Sequence, residues 1–486
     1  MKQIFLGLAI LSSIAFAADL PTATSIYNEM GMGYNIGNTM EVPSDPTAWG
    51  NSFPTQQLID GVSAAGFSTV RIPCAWYTHS NTSTNTINSS WLDSVQTVVD
   101  YCIKDSLFVV LNSHWDKGWL EENVLISADT AGIRKRQAAF WQQIATRFKD
   151  YDRHLLFASA NEPAVQDAYG TAFGSDRMAV LARYHQAFID AVRATGGNNA
   201  TRTLVVQGPH ADIELTNSVM TLPKDNVSSR LMMEVHFYPY QWALMENDES
   251  WGYAYYYWGA YLHPTDNTHN VGWNLYSNSY THFCDSVYVD SMFTLMQKKY
   301  VNQGIPVILG EFGAIKRLST LSGDNLQRHL NSRAAYYGYV AKSAKAHGLV
   351  PIAWDTGHEG DKNMTIIRRQ TTDPSLVGTV LDTDVLAAMK AVYGGKTTVI
   401  QNISSKAATG LRLSIANGLV QASFESALTT HTTVVLMNSL GQILAQKAFI
   451  GTKGTNSISF GTSYRGIVFV QVLQNSFKTS AKITLK

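Results

Sequence analysis

Short apolar runs alternate with segments of helical periodicity over most of the chain. Runs bounded by polar or turn residues and separated by helices are typical of parallel strands buried on both faces. Apolar residues recur at helical spacing over 91–102 and 179–194. The eight candidate strands lie at 32–37, 69–73, 107–112, 155–160, 203–207, 231–237, 306–310 and 350–354. This alternation predicts an α/β fold, a (β/α)8 TIM barrel.

A doubly wound open sheet has the same alternation and is the alternative fold. Its usual signal is a glycine-rich phosphate loop after the first strand. The glycines at 31 and 33 are not followed by the third glycine of that loop. The barrel is therefore favoured.

The last eighty residues follow a different pattern, with short strands and turns but no helical periodicity. Candidate strands lie at 411–415, 419–424, 433–437, 443–449 and 467–472. Such spacing predicts a small all-β sandwich over 406–486. Glycine and serine pairs at 394–395 and 404–405 indicate a linker over 394–405, which leaves 18–393 for the barrel.

The first 17 residues have the pattern of a signal peptide. Lys2 is followed by an apolar run over 4–16, and Ala15 and Ala17 supply the small residues that a signal peptidase requires. The run is too short to span a bilayer, and no later stretch is apolar enough to do so. A core helix is the alternative. We expect a secreted or cell-surface protein.

Charge and cysteine content narrow the class of protein. Charged residues make up 15% of the chain against a typical figure of about 25%, and 37 basic residues balance 37 acidic ones. Neither value suggests a nucleic-acid partner. The balance hides two unlike regions, because residues from 406 onward carry eight basic side chains and one acidic side chain.

Three cysteines cannot form a disulfide scaffold, and we interpret Cys74, Cys102 and Cys284 as small buried hydrophobic residues.

Nearly every candidate barrel strand ends in polar or aromatic residues. In barrels of this type, catalytic groups collect at the carboxyl ends of the strands. One shared cleft is therefore predicted at that end of the barrel. The residues at the strand ends are Asn35, Asn38, Arg71, His114, Trp115, Asn161, Glu162, His210, His236, Tyr238, Glu311, Trp354 and Asp355.

Two carboxylates stand out among these residues. Glu162 and Glu311 each follow an apolar strand without another acid nearby in sequence. Either alone could be a buried ion-pair residue. On the fourth and seventh strands, however, they can face each other across the mouth of a barrel. Two carboxyl groups about 5 Å apart are the arrangement for glycoside hydrolysis with retention of configuration.

Seven stretches in order resemble glycoside hydrolase family 5, the endoglucanase-type barrels of clan A, over about residues 25 to 393. The resemblance is strongest to the bacterial endo-β-1,4-glucanase and xyloglucanase branch. The stretches are GYNIGN at 33–38, VRIP at 70–73, LNSH at 111–114, NEP at 161–163, HFY at 236–238, LGEFG at 309–313 and AWDTG at 353–357.

The resemblance implies a role for each matching residue. Glu162 would be the acid/base and Glu311 the nucleophile, with Arg71 and Tyr238 beside Glu311. The implied sugar-binding residues of the −1 subsite also include Asn35, Asn161, His114, His236 and Trp354. The resemblance further implies a cis bond between Trp354 and Asp355, no metal or other cofactor, and a β-1,4-linked polysaccharide as substrate.

Several alternatives remain open at this stage. Arg71 could be a structural ion-pair residue, His114 and His236 core histidines, and Trp354 barrel packing. A metal-dependent hydrolase could use His114, His210, His236 and Asp355, although no close pair such as His-x-His is present. A non-catalytic sugar-binding relative would be expected to have lost a carboxylate. Mannan or xylan could replace β-glucan as substrate.

Aromatic residues outside the strand ends are further candidates. Trp49, Trp119 and Trp242 could line outer subsites, and an aromatic segment over 253–273 could form a cleft wall or a self-packed loop.

The region 406–486 resembles sorting domains of type IX-like secretion, through VVLMNSLGQ at 434–442 and RGIVFVQV at 465–472. A carbohydrate-binding module is the alternative, but Tyr464 is the only Tyr and no Trp is present from 406 onward.

Overall fold

The computed structural model describes most of the barrel and of the C-terminal region. The predicted signal peptide at 1–17, the linker at 394–405 and Cys284 lie outside the described residues. The chain divides into two compact units, residues 1–395 and 396–486. The described residues are 19–164, 175–243, 256–259, 273–274, 279–280, 285–393, 409–416, 419–426, 429–438, 443–474 and 477–485.

The first unit is a closed barrel of eight parallel strands, which confirms the predicted fold and excludes the open sheet. Each strand pairs with its neighbours in sequence, and β1 also pairs with β8 to close the barrel. All eight predicted strands are present, with ends that differ by at most two residues. They are β1 Gly33–Asn35, β2 Thr69–Ile72, β3 Phe108–Asn112, β4 Leu155–Ala158, β5 Leu204–Gln207, β6 Leu231–Phe237, β7 Val307–Phe312 and β8 Leu349–Ala353.

Helices connect the strands, and some of them begin at capping residues that the sequence supplies. Thr55 and Asp212, for example, each accept a hydrogen bond from a backbone N–H of the first turn that would otherwise lack a partner. None of the helices in the described part of the chain is long and apolar enough to cross a bilayer. The helices are α1 Ala23–Met30, α2 Gln56–Ala64, α3 Ser89–Lys104, α4 Ile126–Ala131, α5 Ile133–Arg147, α6 Ser175–Ala194, α7 Ile213–Val219, α8 Tyr240–Ala243, α9 Ser286–Lys299, α10 Gly323–His347 and α11 Thr383–Tyr393.

Helix α1 packs against the inside of the barrel. Its buried residues Ala23, Ile26 and Met30 share one cluster with side chains from β3 to β8, including Phe108 and Ile308 near the starts of their strands. Helix α1 thus covers the amino ends of the strands with apolar side chains. The opposite, carboxyl end is the end left for chemistry.

A register shift in β7 fixes the direction of one predicted catalytic residue. The pairing of β7 with β6 shifts between Leu309 and Glu311, so that Glu311 lies opposite His236. Gly310 lies at this shift, and a Cβ added there would come within 2.1 Å of the Glu234 carboxylate. Glycine is therefore required at 310, because any side chain would displace a buried charged group.

The second unit is a small β-sandwich, as predicted. All strand pairs are antiparallel, and side chains from both sheets share one core that includes Val420, Phe424, Val434 and Val470. The sheets have the orders β9-β10-β13 and β12-β11-β14-β15. The strands are β9 Thr409–Ala416, β10 Leu419–Ser426, β11 Thr430–Asn438, β12 Ile443–Gly451, β13 Gly454–Gly461, β14 Gly466–Gln474 and β15 Phe477–Leu485.

Two of these strands, β13 and β15, were not predicted from the sequence. Both are rich in Ser, Thr, Asn or Lys and have few apolar residues. Their backbone hydrogen bonds to β10 and β14 form whatever the side chains are. An apolar pattern therefore gives little sign of them.

Two cysteines fit the interpretation made from the sequence. Cys74 and Cys102 are free and fully buried. Burial also raises the pKa of both thiols, which keeps them protonated and unreactive. They act as small apolar side chains in the barrel.

Candidate active site

Glu162 and Glu311 lie close together at the carboxyl end of the barrel. A carboxylate oxygen of Glu162 and one of Glu311 are within 4.8 Å of each other. Their surroundings differ, because the Glu162 side chain is 37% exposed and that of Glu311 is 8% exposed. Two carboxyl groups this close are compatible with the retaining arrangement, and the two groups differ in their exposure to solvent.

Glu311 is surrounded by groups that favour its ionised form. Arg71 Nη1 is 2.8 Å from one oxygen, and the Tyr238 hydroxyl donates a hydrogen bond of 3.1 Å to the other. Burial raises the pKa of Glu311 above its ordinary value, and the positive charges of His236 and Arg71 offset this rise only in part. Burial and the charge of Glu311 raise the pKa of Tyr238 well above 10, so the phenol stays a donor.

Arg71 connects four side chains at the bottom of the cleft. Its Nε is 2.8 Å from a Glu234 oxygen, and its Nη2 donates a 2.8 Å hydrogen bond to Asn161 Oδ1. Its Nη1 also donates to Asn35 Oδ1 at 3.0 Å. The guanidinium is fully buried and is held between two carboxylates, so it orients Glu311 without reaching the surface.

Asn35 supports this network from below. Its side-chain amide donates a 2.8 Å hydrogen bond to the Gly310 carbonyl, while its oxygen accepts from Arg71. Asn35 has no exposed surface. The structure therefore puts Asn35 behind Arg71, where it fixes that side chain and the strand before Glu311.

His236 lies between three carboxylates. Its Nδ1 is 2.7 Å from Glu162 and 3.8 Å from Glu311, and its Nε2 is 3.3 Å from Glu234. Burial disfavours the charged ring, but the charge of Glu311 and hydrogen bonds to Glu162 and Glu234 outweigh burial and raise the pKa of His236 to about 10. At neutral pH His236 is a cation beside both predicted catalytic groups.

His114 and Trp354 form the other wall of the site. Their rings are nearly parallel, with an interplanar angle of 17° and centroids 5.8 Å apart. Burial and the charges of Arg71 and His236 lower the pKa of His114 well below 6.5, so its ring is neutral. His114 Nδ1 is 3.1 Å from the Asn112 side-chain amide, an arrangement that leaves Nε2–H as a donor.

The bond between Trp354 and Asp355 is trans, so the expected cis bond was wrong. The Asp355 carboxylate accepts hydrogen bonds from the backbone N–H groups of Gly357 and Ile366 and pairs with Arg369 at 3.1 Å. These contacts hold the turn after β8. The chain therefore differs from the family at this bond. The Trp354 indole is positioned by its packing against His114.

Of the four residues that a metal-dependent hydrolase could use, the structure brings His236 alone into a group of possible metal ligands. Among the described residues, one group could hold a metal ion, formed by Glu162, His236 and Glu311. His114 and Asp355 do not join it.

Two buried acids belong to the site but were not predicted from the sequence. Glu234 lies within β6, paired with Arg71, and it precedes His236 by two residues, so both side chains face the barrel interior. A lone acid in an apolar strand was the signal for it. Glu121 lies in a polar loop and accepts a 2.8 Å hydrogen bond from the backbone N–H of Glu162. The loop gave no signal for Glu121.

The aromatic candidates divide between surface and core. Trp49 is 48% exposed, whereas Trp119 and Trp242 are buried and cannot line a subsite. Trp115, which follows His114, is also exposed. Of the aromatic segment over 253–273, the described part at 256–258 is buried, and the Trp258 ring packs against α10. The other aromatic residues of this segment, apart from Trp273, lie outside the described residues.

A closed parallel barrel with two facing carboxylates at its carboxyl end defines a class of protein, the carboxylate-pair glycoside hydrolases. The family model described as cellulase, glycosyl hydrolase family 5, matches residues 31–360. The chain belongs to glycosyl hydrolase family 5.

Several relatives of known activity resemble the chain. A xyloglucan-specific endo-β-1,4-glucanase of Bacteroides ovatus is 36% identical over 68% of this chain, which spans 64% of the length of that enzyme. Endoglucanase A of Paenibacillus barcinonensis is 37% identical over 74% of this chain and 89% of its own. A xyloglucan-specific β-1,4-glucanase from a ruminal metagenomic library, solved in complex with XXLG, has a TM-score of 0.68 at 38% identity and covers 79% of this chain and 100% of its own.

Proposed function

We propose that this glycoside hydrolase is an endo-β-1,4-glucanase that retains configuration at the anomeric carbon. The observation that supports the proposal best is the pair of carboxylates within 4.8 Å of each other. A separation near 5 Å leaves no room for a water molecule between the sugar and the second carboxylate, so that carboxylate attacks directly.

In the first step, Glu311 attacks the anomeric carbon and forms a glycosyl ester. The bond from that carbon to the glycosidic oxygen breaks, and the oxygen takes the proton of Glu162. His236 donates to Oε1 of Glu162, which leaves the other oxygen of the acid to carry the proton. Arg71 and Tyr238 fix the two oxygens of Glu311 at the start of the attack.

In the second step, Glu162 takes a proton from water as the water attacks the same carbon and releases Glu311. The negative charge has moved from Glu311 to Glu162 between the two steps. His236 stays within 3.8 Å of both carboxylates and stabilises whichever one is ionised. The two inversions together retain the β configuration.

We assign β-glucans of the cellulose or xyloglucan type as substrates on the names of the relatives. Two of them are named as xyloglucan-specific and one as an endoglucanase. Mannan and xylan are the competing substrates, since the described catalytic residues act on the anomeric centre alone. The exposed Trp49 and Trp115 are apolar surfaces of the kind that sugar rings pack against.

The test combines a substrate panel with analysis of the first product. Xyloglucan, carboxymethyl cellulose, mannan and xylan are hydrolysed separately, and we expect the highest kcat/KM on one of the first two. Proton NMR of the early products should show the β-anomer before mutarotation. Faster hydrolysis of mannan or xylan would overturn the substrate, and an initial α-anomer would overturn the mechanism.

We further propose that the enzyme is exported through residues 1–17 and that residues 406–486 contact a secretion or surface-retention machinery. The region from 406 onward has a net charge of +7 and no Trp, which argues for sorting over sugar binding. Deletion of this region should change where the enzyme accumulates in the producing cell. Unchanged location combined with lost binding to insoluble glucan would instead identify a carbohydrate-binding module.

A further inference from the structure

We propose that Glu121 is a positioning residue for the acid/base, because its buried side chain holds the main chain of Glu162 at the end of β4. The inference rests on the proposed function, in which Glu162 protonates the leaving group. It assigns a task to a residue that touches neither sugar nor nucleophile.

Glu121 holds the strand end at two points. Its side-chain Oε1 accepts a 2.8 Å hydrogen bond from the backbone N–H of Glu162, and its backbone carbonyl accepts one of 2.9 Å from Ala164. Strand β4 ends at Ala158, so these residues have left the sheet ladder. Glu121 thus gives the Glu162 backbone the fixed partner that a neighbouring strand would otherwise provide.

The loop that carries Glu121 is braced from the other side. The Asp116 carboxylate accepts hydrogen bonds of 2.7 Å from the Trp76 N–H and from the Thr78 hydroxyl. Asp116 and Lys117 have left-handed backbone angles, with φ of 41° and 61°. Such angles are unfavourable in a non-glycine residue and persist only where the surroundings impose them. Glu121 is therefore held in place before substrate arrives.

The charge state of Glu121 suits a hydrogen-bond acceptor in this position. Burial, followed by the negative charges of Glu162 and Glu311, raises the pKa of Glu121 to about 8, although the hydrogen bonds from the Glu162 N–H and the Asn161 side chain oppose this rise. Below that pH the group is neutral and adds no further negative charge beside the catalytic pair. Its carbonyl oxygen still accepts the N–H of Glu162, and a glutamine side chain has the same oxygen.

Loss of this contact should harm proton donation more than nucleophilic attack. The Glu162 main chain would be free to shift, and a misplacement of about 1 Å can cost about 100-fold in rate. Glu311 is fixed separately by Arg71 and Tyr238. The defect should therefore depend on how much protonation the leaving group needs.

The test compares cellotetraose, whose leaving group needs a proton, with 2,4-dinitrophenyl β-cellobioside, whose leaving group does not. For Glu121→Ala we expect kcat/KM, which reports formation of the glycosyl ester, to fall about 100-fold on cellotetraose and less than about 5-fold on the aryl glycoside. Glu121→Gln should stay within about 3-fold of wild type on both, because it keeps the acceptor oxygen. Glu121→Asp, too short to reach the N–H, should behave like the alanine variant and serves if alanine fails to fold.

Two further variants separate the possible failures. Asp361→Ala removes a carboxylate that accepts the backbone N–H of Leu318 but has no contact with Glu162, so the ratio of the two rates should stay at the wild-type value. Glu162→Ala should show the leaving-group dependence itself, and its absence there would overturn the proposed function. A dependence in Glu162→Ala combined with equal losses in Glu121→Ala and Glu121→Asp would overturn the role of Glu121 alone.

Discussion

Arg71 and Glu311 form a buried ion pair at the bottom of the cleft, with 2.8 Å between Nη1 and Oε1. The Arg71 side chain is completely buried. The same guanidinium also pairs with Glu234, so one cation compensates two buried carboxylates. Removal of a single partner from a buried pair leaves an uncompensated charge, which is far more costly than loss of a surface pair.

Arg71→Met should destabilise the barrel by about 3–5 kcal/mol, because Glu234 and Glu311 would lose their shared cation. Activity should fall at least about 100-fold, because the nucleophile would be neither ionised nor oriented. Urea unfolding followed by tryptophan fluorescence measures the first effect and reports the barrel, since no Trp lies beyond 406. An unfolding free energy equal to that of wild type would contradict the structural role assigned to Arg71.

Replacement of each catalytic carboxylate should give a different product with azide. Glu311→Gln should abolish turnover while the barrel stays folded, because Arg71 keeps Glu234 as its partner. In Glu311→Gly, azide enters from the side of the missing nucleophile and should yield an α-glycosyl azide. In Glu162→Ala, azide attacks the glycosyl ester and should yield the β-glycosyl azide. NMR of the two products distinguishes the roles, and interchanged anomers would reverse the assignment.

The stability of the barrel should depend on pH through Glu121. Its pKa is about 8 in the folded state, against about 4.3 in an unfolded chain. The folded state keeps this proton to higher pH, so the contribution to the unfolding free energy is greatest below about pH 4 and is lost as the pH rises to about 8. Glu121→Gln does not titrate and lacks this loss.

The wild-type enzyme should therefore lose stability relative to Glu121→Gln between about pH 4.3 and 8, by a total on the order of a few kcal/mol. Urea unfolding of both proteins at several pH values in that window provides the measurement. A difference between the two unfolding free energies that stays constant over the window would show that Glu121 ionises normally.

Deletion of residues 396–486 should leave catalysis intact. Every residue assigned to the site lies in the first compact unit, residues 1–395. The β-sandwich has its own core, which includes Val420, Val434 and Val470. We expect kcat/KM on soluble xyloglucan within about 2-fold of the full-length value, as is usual when a separate domain is removed. A loss beyond about 10-fold would mean that the sandwich contributes to substrate binding or to barrel stability.

The sequence by itself determined the elements of the barrel and placed the two carboxylates proposed as catalytic at the ends of strands. Eight apolar strands that alternate with helices are compatible with few folds, because strands buried on both faces need helices to cover them. Glu162 and Glu311 were identifiable because a lone acid at the end of an apolar strand needs compensation. Strands β13 and β15 were not predicted, because they are held in the sandwich by main-chain hydrogen bonds, which leave no sequence pattern.

Only the tertiary structure decided how these groups act on one another. Asn35 was expected at the sugar and lies buried behind Arg71, and Trp119 and Trp242 were candidate platforms and lie in the core. Glu121 is about forty residues from Glu162 in sequence, yet it holds that backbone. The burial and the charged neighbours of a side chain at the barrel mouth depend on residues from several strands. These strands come together only when the sheet closes. The sequence pattern therefore indicates which residues lie at the carboxyl end of the barrel. The closed barrel determines the distances between them and their protonation states.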